Sequence, residues 1–125
     1  MQKADVKLKD NVKQYLQMIA EYPKLSQIEE ANLYHRIQQG DQDAKDLFIR
    51  CNLKLVVSVA KQYIRFSVPF MDLIQEGNLG LMKAIEKFDP NMGWRFSTYA
   101  IQWIRQSISR YIMDKEKVIH ILVHV

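Results

Sequence analysis

At 125 residues, with 48% hydrophobic residues and only 4 glycines and 3 prolines, the chain can bury one core without staples and is poorly suited to a turn-rich β protein. Lys and Arg number 18 against 14 Asp and Glu, a net charge of +4 that is compatible with a nucleic-acid partner without demanding one. The single Cys51 cannot close an internal disulfide, the charged run Met1 to Asp10 does not read as a secretory leader, and no apolar run reaches membrane-spanning length, so the expectation is a cytoplasmic, soluble protein.

Helical periodicity runs through most of the chain and predicts an all-α fold, a compact helical bundle. Val12, Tyr15, Leu16 and Ile19 recur at helical spacing and predict a first amphipathic helix that ends before Pro23. Ser26 and Glu29 form the pattern of a capping box, in which each side chain satisfies the other residue's backbone donor. The helix they open should run to Gln39, stop at Gly40 and hand over to a new element at Asp41 or Asp43. From Ala44 to Arg65 the apolar residues Leu47, Phe48, Leu53, Val56, Val57, Ala60 and Ile64 predict a long core-lining helix with a break near Asn52. Lys54, Lys61 and Arg65 fall on its outer side, either simply solvated or against nucleic acid. Cys51 reads as an inert, buried thiol.

Pro69 restarts the chain, and a helix is predicted from Asp72 to Phe88. Leu73, Ile74, Gly77, Gly80, Leu81, Ala84, Ile85 and Phe88 share one face, where two glycines would permit a close helix approach at about 1 kcal/mol each in propensity. Asp72, Gln75, Glu76, Leu79, Lys83 and Glu86 share the opposite face, with Asn78 and Met82 at its margin. Carboxylates and amides around an exposed Leu repel phosphates and suit a basic protein surface, although a solvated helix face has the same composition. Residues 89–93, D-P-N-M-G, read as a turn.

The stretch Gly93 to Arg110 is the most informative. Ser97 or Thr98 can cap a helix running to about Ile112, with Ala100, Ile101, Ile104, Ile108, Tyr111 and Ile112 on one side. Tyr99, Gln102, Trp103, Gln106 and Arg110 lie on the other, and Trp94 and Phe96 just upstream are expected to extend the same surface. Rings stack on unpaired bases and guanidinium groups meet phosphates, so this face suits single-stranded nucleic acid; packing beneath a neighbouring helix is the structural alternative. After Asp114 the run Val118 to Val125 is expected to be extended, and an apolar end of this kind suggests a piece of a longer protein. His120 and His124, four apart, suit a metal only on a helix, so no metal site is expected. No phosphate-cradling Gly loop and no nucleophile beside a base is present, so neither an enzyme nor a cofactor is expected.

Asn52 to Val57 (N-L-K-L-V-V), Asp72 to Ala84 (D-L-I-Q-E-G-N-L-G-L-M-K-A), Lys87 to Pro90 (K-F-D-P) and Phe96 to Gln106 (F-S-T-Y-A-I-Q-W-I-R-Q) together resemble region two of bacterial RNA polymerase sigma factors of the primary or stress-response type. The resemblance divides the chain into a helical segment preceding region two at 1–40, a region-two core at 41–115 and the start of the next region at 116–125. It implies a factor that docks on core RNA polymerase and melts promoter DNA at the minus-ten element. Leu53, Val56, Asp72, Gln75, Glu76, Asn78 and Met82 would engage the clamp helices of the largest polymerase subunit. Trp94, Phe96, Thr98, Tyr99 and Trp103 would hold the non-template strand, with Tyr99 stacking on the flipped second-position adenine. Gln106 and Ser109 would face the paired upstream end, and Arg105 and Arg110 would meet phosphates. An anti-sigma factor is a further partner the resemblance admits, and Leu16 and Gln17 would lie near the discriminator.

Departures from the family pattern are local. Gln102 stands where primary members carry the first of two adjacent Trp residues, and it joins the DNA-facing set as a weaker wedge that points to an alternative factor. Asn91 and Met92 replace basic residues, Lys117 and His120 replace arginines, and Leu122 replaces a proline, while His124 matches a family histidine. The family's second DNA-reading domain, for the minus-thirty-five element, has no counterpart in these residues. A module that binds polymerase without opening DNA is the alternative reading.

Overall fold

The computed structural model describes the backbone of residues 3–124 and the side chains of residues 11–116. Among the described residues it is all-α, with six α-helices, two short 3-10 turns and no strand. The chain divides into two units, residues 1–54 and residues 55–125.

In the first unit, α1 spans Lys3–Ile19, α2 Gln27–Gln38 and α3 Gln42–Cys51. The capping box forms as expected: the Glu29 N–H donates to Ser26 Oγ at 3.2 Å and the Ser26 N–H donates to Glu29 Oε1 at 3.0 Å. These bonds hold the Glu29 carboxyl below the usual carboxylate range. Gly40 stops α2 with φ +89°, a conformation that disfavours any side chain. Asp41 then caps α3, accepting from the Ala44 N–H at 3.1 Å, and receives Arg36 Nε at 3.0 Å from the last turn of α2. One carboxylate thus serves both helices at their junction. The helices pack through Tyr34 and Phe48, whose ring centroids lie 5.9 Å apart, and Arg50 lies over the Tyr22 ring. Cys51 is buried, and burial, with the Glu29 charge adding to it, pushes its thiol up.

The expected break at Asn52 is present. Its N–H bonds the Ile49 carbonyl and its Nδ2 the Phe48 carbonyl at 2.8 Å, closing α3 before α4 begins at Leu53. Lys54, Lys61 and Arg65 are exposed, as their spacing predicted.

Helix α4 (Leu53–Ala60) begins with the last two residues of the first unit; in the second unit it runs into a 3-10 turn at Lys61–Tyr63, followed by α5 (Phe70–Lys87), a 3-10 turn at Pro90–Met92 and α6 (Phe96–His124). Leu73, Ile74, Gly77, Gly80, Leu81, Ala84, Ile85 and Phe88 of the α5 stripe are all buried, and Ala100, Ile104, Ile108 and Ile112 of α6 are buried with them. The two glycines let the helices close up: a Cβ on Gly80 would stand 2.6 Å from the Trp103 carbonyl oxygen and 2.9 Å from Ile104 Cα. The backbone of α6 therefore rests on α5 at the residues that carry Trp103.

Helix α6 departs from expectation in two ways. It begins at Phe96, so Ser97 and Thr98 lie inside the first turn instead of capping it. It also continues through His124, whereas residues 118–124 were expected to be extended. The β-branched run Val118, Ile119, Ile121 and Val123 suggests a strand, but each such residue costs an existing helix only a fraction of about 0.7 kcal/mol. No Gly or Pro interrupts 96–124, and extending a helix requires no new nucleus. His120 and His124 are thus on a helix, but their side chains lie outside the described residues. Among the described residues no group of three or more His, Cys, Asp or Glu could hold a metal ion. No described helix is long and apolar enough to cross a membrane.

Candidate nucleic-acid interface

The turn that delivers α6 is built locally. Asp89 Oδ1 accepts the Asn91 N–H at 2.9 Å and Gly93 adopts φ +89°, which reverses the chain and leaves Trp94 outside the core at 52% exposure. Phe96, two residues on, points the other way. It is 0% exposed and meets Phe88 edge-on, with centroids 5.3 Å apart at 82°. Phe96 was expected to extend the base-binding surface; it is a core residue, because the first residue of α6 falls in line with Ala100 and Ile104 on the buried stripe.

From that buried ring an aromatic row leads outward. Phe88 contacts Tyr99 at 5.6 Å, and Tyr99 contacts Trp103 one turn later at 6.2 Å. Tyr99 and Trp103 are both half-buried. The Tyr99 hydroxyl donates to the Lys87 carbonyl at 3.2 Å, satisfying a group in the last turn of α5 that has no helical partner of its own. Both half-buried rings are thereby held against the protein while part of each remains exposed. A planar group stacking there would find the rings already ordered, so little side-chain entropy would remain to be lost.

Thr98, Gln102, Arg105, Gln106 and Arg110 are exposed around this row. Ser109 is half-buried, and its hydroxyl is hydrogen-bonded to the Tyr63 hydroxyl at 3.2 Å.

The outer face of α5 is also as expected in its polar members. Asp72, Gln75, Lys83 and Glu86 are exposed, Glu76 and Asn78 are half-buried, and Leu79 and Met82 are 52% and 42% exposed. Val56 and Leu53, expected on the same protein-binding surface, are buried. For Val56 the reason is Gly77, whose absent side chain leaves room for it: a Cβ on Gly77 would stand 2.7 Å from Val56 Cγ1. A side chain filling that space cannot also meet a partner.

The two faces meet in a groove of about 600 Å³ between α5 and α6. Glu76, Leu79, Met82, Lys83 and Glu86 line one wall, and Trp103, Gln106, Ser107, Arg110, Tyr111 and Asp114 the other. Tyr111, assigned by periodicity to the core side, is half-buried; its hydroxyl donates to Asp72 Oδ2 over a long 3.4 Å, and Lys115 Nζ lies 5.4 Å from its ring centroid. A single helix pair thus carries an acidic, partly apolar strip and an aromatic, basic strip side by side.

The family model for Sigma-70 region 2 matches residues 48–118, more than half of the chain. The chain belongs to the Sigma-70 region 2 family.

It is 51% identical over 120 residues to the RNA polymerase sigma factor SigA of Bacillus sp and 52% identical over 120 residues to the RNA polymerase sigma factor SigA of Listeria monocytogenes serovar 1/2a. Each alignment covers 96% of this chain and 32% of the relative, so the chain spans about a third of the length of the curated relatives it matches. Within this region-two chain, the groove, the Tyr111 bond to Asp72 and the Tyr63 bond to Ser109 had no sequence signal. Tyr63 and Ser109 are 46 residues apart, and nothing in the spacing of either predicts the other.

Proposed function

We propose that the chain acts in transcription initiation, docking on core RNA polymerase through α5 and capturing melted non-template bases of the promoter minus-ten element on α6. The observation that carries this reading is the graded aromatic row from buried Phe88 through Tyr99 to Trp103, held from behind and open in front. Trp94 adds a further exposed ring, Arg105 and Arg110 supply cations for the phosphates, and Gln106 and Ser109 face the upstream pair. Phe96 supports the row from the core and touches no base.

The polymerase side uses Asp72, Gln75, Glu76, Asn78 and Met82 against the clamp helices of the largest subunit, with Leu79 as an exposed apolar centre within a polar rim. Val56 and Leu53 act through packing. Opening DNA by this route requires no bond-breaking chemistry. Unstacking costs about 1.4 kcal/mol per base-pair step, and each base stacked on an aromatic ring returns about 1–3 kcal/mol. Two or three captured bases offset a short nucleating opening. Such a factor works where the polymerase is, in the cytoplasm.

The test is binding to single-stranded minus-ten DNA. Tyr99→Ala should weaken binding to that sequence by about 1–3 kcal/mol and barely alter binding to a scrambled strand, as read by fluorescence anisotropy. Equal losses on both strands would remove the base-capture role. Gln102 favours a second reading, since an exposed amide replaces a ring expected to wedge the fork. In that reading the chain binds polymerase and leaves DNA closed.

A further inference from the structure

The proposed function leaves one basic run unused. Between Asp46 and Asp72 the chain carries no acidic residue, and in that run Lys61 and Arg65 stand exposed in and just after the 3-10 turn that follows α4. The Arg65 guanidinium lies 5.1 Å from the centroid of the Phe66 ring, within reach of a cation–π contact. The Phe66 ring lies 6.4 Å from the Tyr63 ring at 31°, and the Tyr63 hydroxyl is hydrogen-bonded to the Ser109 hydroxyl of α6 at 3.2 Å. A lone surface arginine samples many rotamers. This one is tied through two rings to the helix that carries the aromatic row.

Chemistry and place decide what such a cluster holds. Phe66 is half-buried, with a guanidinium on it and a second ring beside it, so it supports a cation instead of offering a free face to a base. A guanidinium braced on a ring keeps its in-plane N–H groups for phosphate oxygens. Ser109 is ten residues beyond Tyr99, about 15 Å along the helix, which is about four base-pair rises of 3.4 Å. In the proposed function the strand is single at Tyr99 and Trp103 and paired by Gln106 and Ser109. The cluster beside Ser109 therefore adjoins duplex, which presents one phosphate charge per about 1.7 Å of axis.

We infer that Lys61 and Arg65 bind backbone phosphates of the double-stranded DNA just upstream of the minus-ten element, with Phe66 and Tyr63 forming the bracket that fixes Arg65 beside α6. The inference rests on the proposed function, because it takes α6 to be the DNA-reading helix and uses the direction in which the strand runs along it. Such contacts read no sequence; they set the position of the duplex while the rings of α6 hold the open strand. An acidic protein surface would suit the same charges, but the cluster is bonded to α6, whereas the strip assigned to the polymerase is the outer face of α5.

The experiment uses the 125-residue chain assembled with bacterial core RNA polymerase and three DNAs: a minus-ten fork with a long upstream duplex arm, the same fork cut at its first base pair, and the single strand alone. The readout is the slope of log affinity against log salt, which counts neutralised phosphates and which a merely structural change would not move. Arg65→Gln and Lys61→Gln should each lower that slope on the long-armed fork by about 0.9 and the double variant by about twice as much. Arg65→Lys, which keeps the charge, should keep the slope. Scrambling the arm should change nothing, and neither Gln variant should alter binding to the cut fork or the single strand. Slopes equal to the parent's on the long-armed fork overturn the inference, as does an equal loss on all three DNAs. Weaker association of the Gln variants with polymerase in the absence of DNA would assign the cluster to an acidic protein surface and overturn it too. If the slopes do not move while Tyr99→Ala still loses the minus-ten strand, the inference fails and the proposed function stands. If Tyr99→Ala has no sequence-specific effect, the functional reading itself has failed and the inference falls with it.

Discussion

Trp94 and Phe96 are two residues apart, and the backbone gives them opposite tasks. Gly93 in the left-handed region throws Trp94 outward, while the start of α6 turns Phe96 into the space beside Phe88. Removing each ring should therefore be felt in different measurements. Phe96→Ala leaves a cavity under the aromatic row and should cost about 3–5 kcal/mol in urea unfolding. Trp94→Ala should leave stability within about 0.5 kcal/mol and weaken single-stranded DNA binding instead. A stability loss shared equally by the two variants would contradict this division. Tyr99 stands between these extremes, since its hydroxyl bond to the Lys87 carbonyl and its contact with Phe88 fix the ring that the DNA would use. The sequence marks all three as aromatic residues near a helix start; which one is buried depends on a turn of one helix against another, and local spacing does not encode it.

At the scale of elements, the close approach of α5 and α6 positions the site. Gly80 lies against backbone, with the Trp103 carbonyl oxygen 2.6 Å and Ile104 Cα 2.9 Å from where a Cβ would be, whereas Gly77 chiefly faces the Val56 side chain. Backbone cannot rotate out of the way. Gly80→Ala should consequently destabilise by about 1–3 kcal/mol despite a helix-propensity gain of about 1 kcal/mol, and should weaken DNA binding by moving Trp103. Gly77→Ala should also destabilise but by less, because the atoms it would crowd are side-chain carbons of Val56, Ile108 and Ile104 and none is backbone. Thermal melts of the two variants provide the comparison, and a Gly80→Ala chain as stable as the parent would refute the close-contact account. Much of this architecture is legible in the sequence: Ser26 with Glu29, Gly40, Asn52 and Gly93 mark boundaries through side-chain and backbone chemistry that acts within a few residues. The buried stripe of α5 is legible for the same reason, being a local period. The course of α6 beyond Ile112 is not, because the β-branched residues there favour a strand only weakly and an existing helix overrides them. Val56 reads as core-lining from its period and is buried; only the resemblance puts it on the polymerase-binding surface, and the space left by Gly77 holds it inside.

At the scale of the whole molecule, the second unit presents an acidic strip with exposed Leu79 and Met82 beside an aromatic strip with exposed arginines, on one pair of helices. The proposed function requires two such surfaces in fixed register, and the close packing of α6 on α5 at Gly80 provides it. Reversing one charge on the first strip should separate the two functions. Glu76→Lys should abolish co-elution with bacterial core RNA polymerase at matched salt, since exposed charge pairs are screened and the comparison must hold screening constant. Binding of the isolated chain to single-stranded minus-ten DNA should persist in that variant. Loss of both activities together would mean that the strips are not separate surfaces. If rings on α6 hold DNA open, permanganate should report it through the thymines of a promoter minus-ten element bound by the parent chain on core polymerase. These thymines should become reactive with the parent chain and stay protected with Tyr99→Ala; a parent complex that forms on the promoter and leaves them protected would contradict a strand-holding role for the α6 rings.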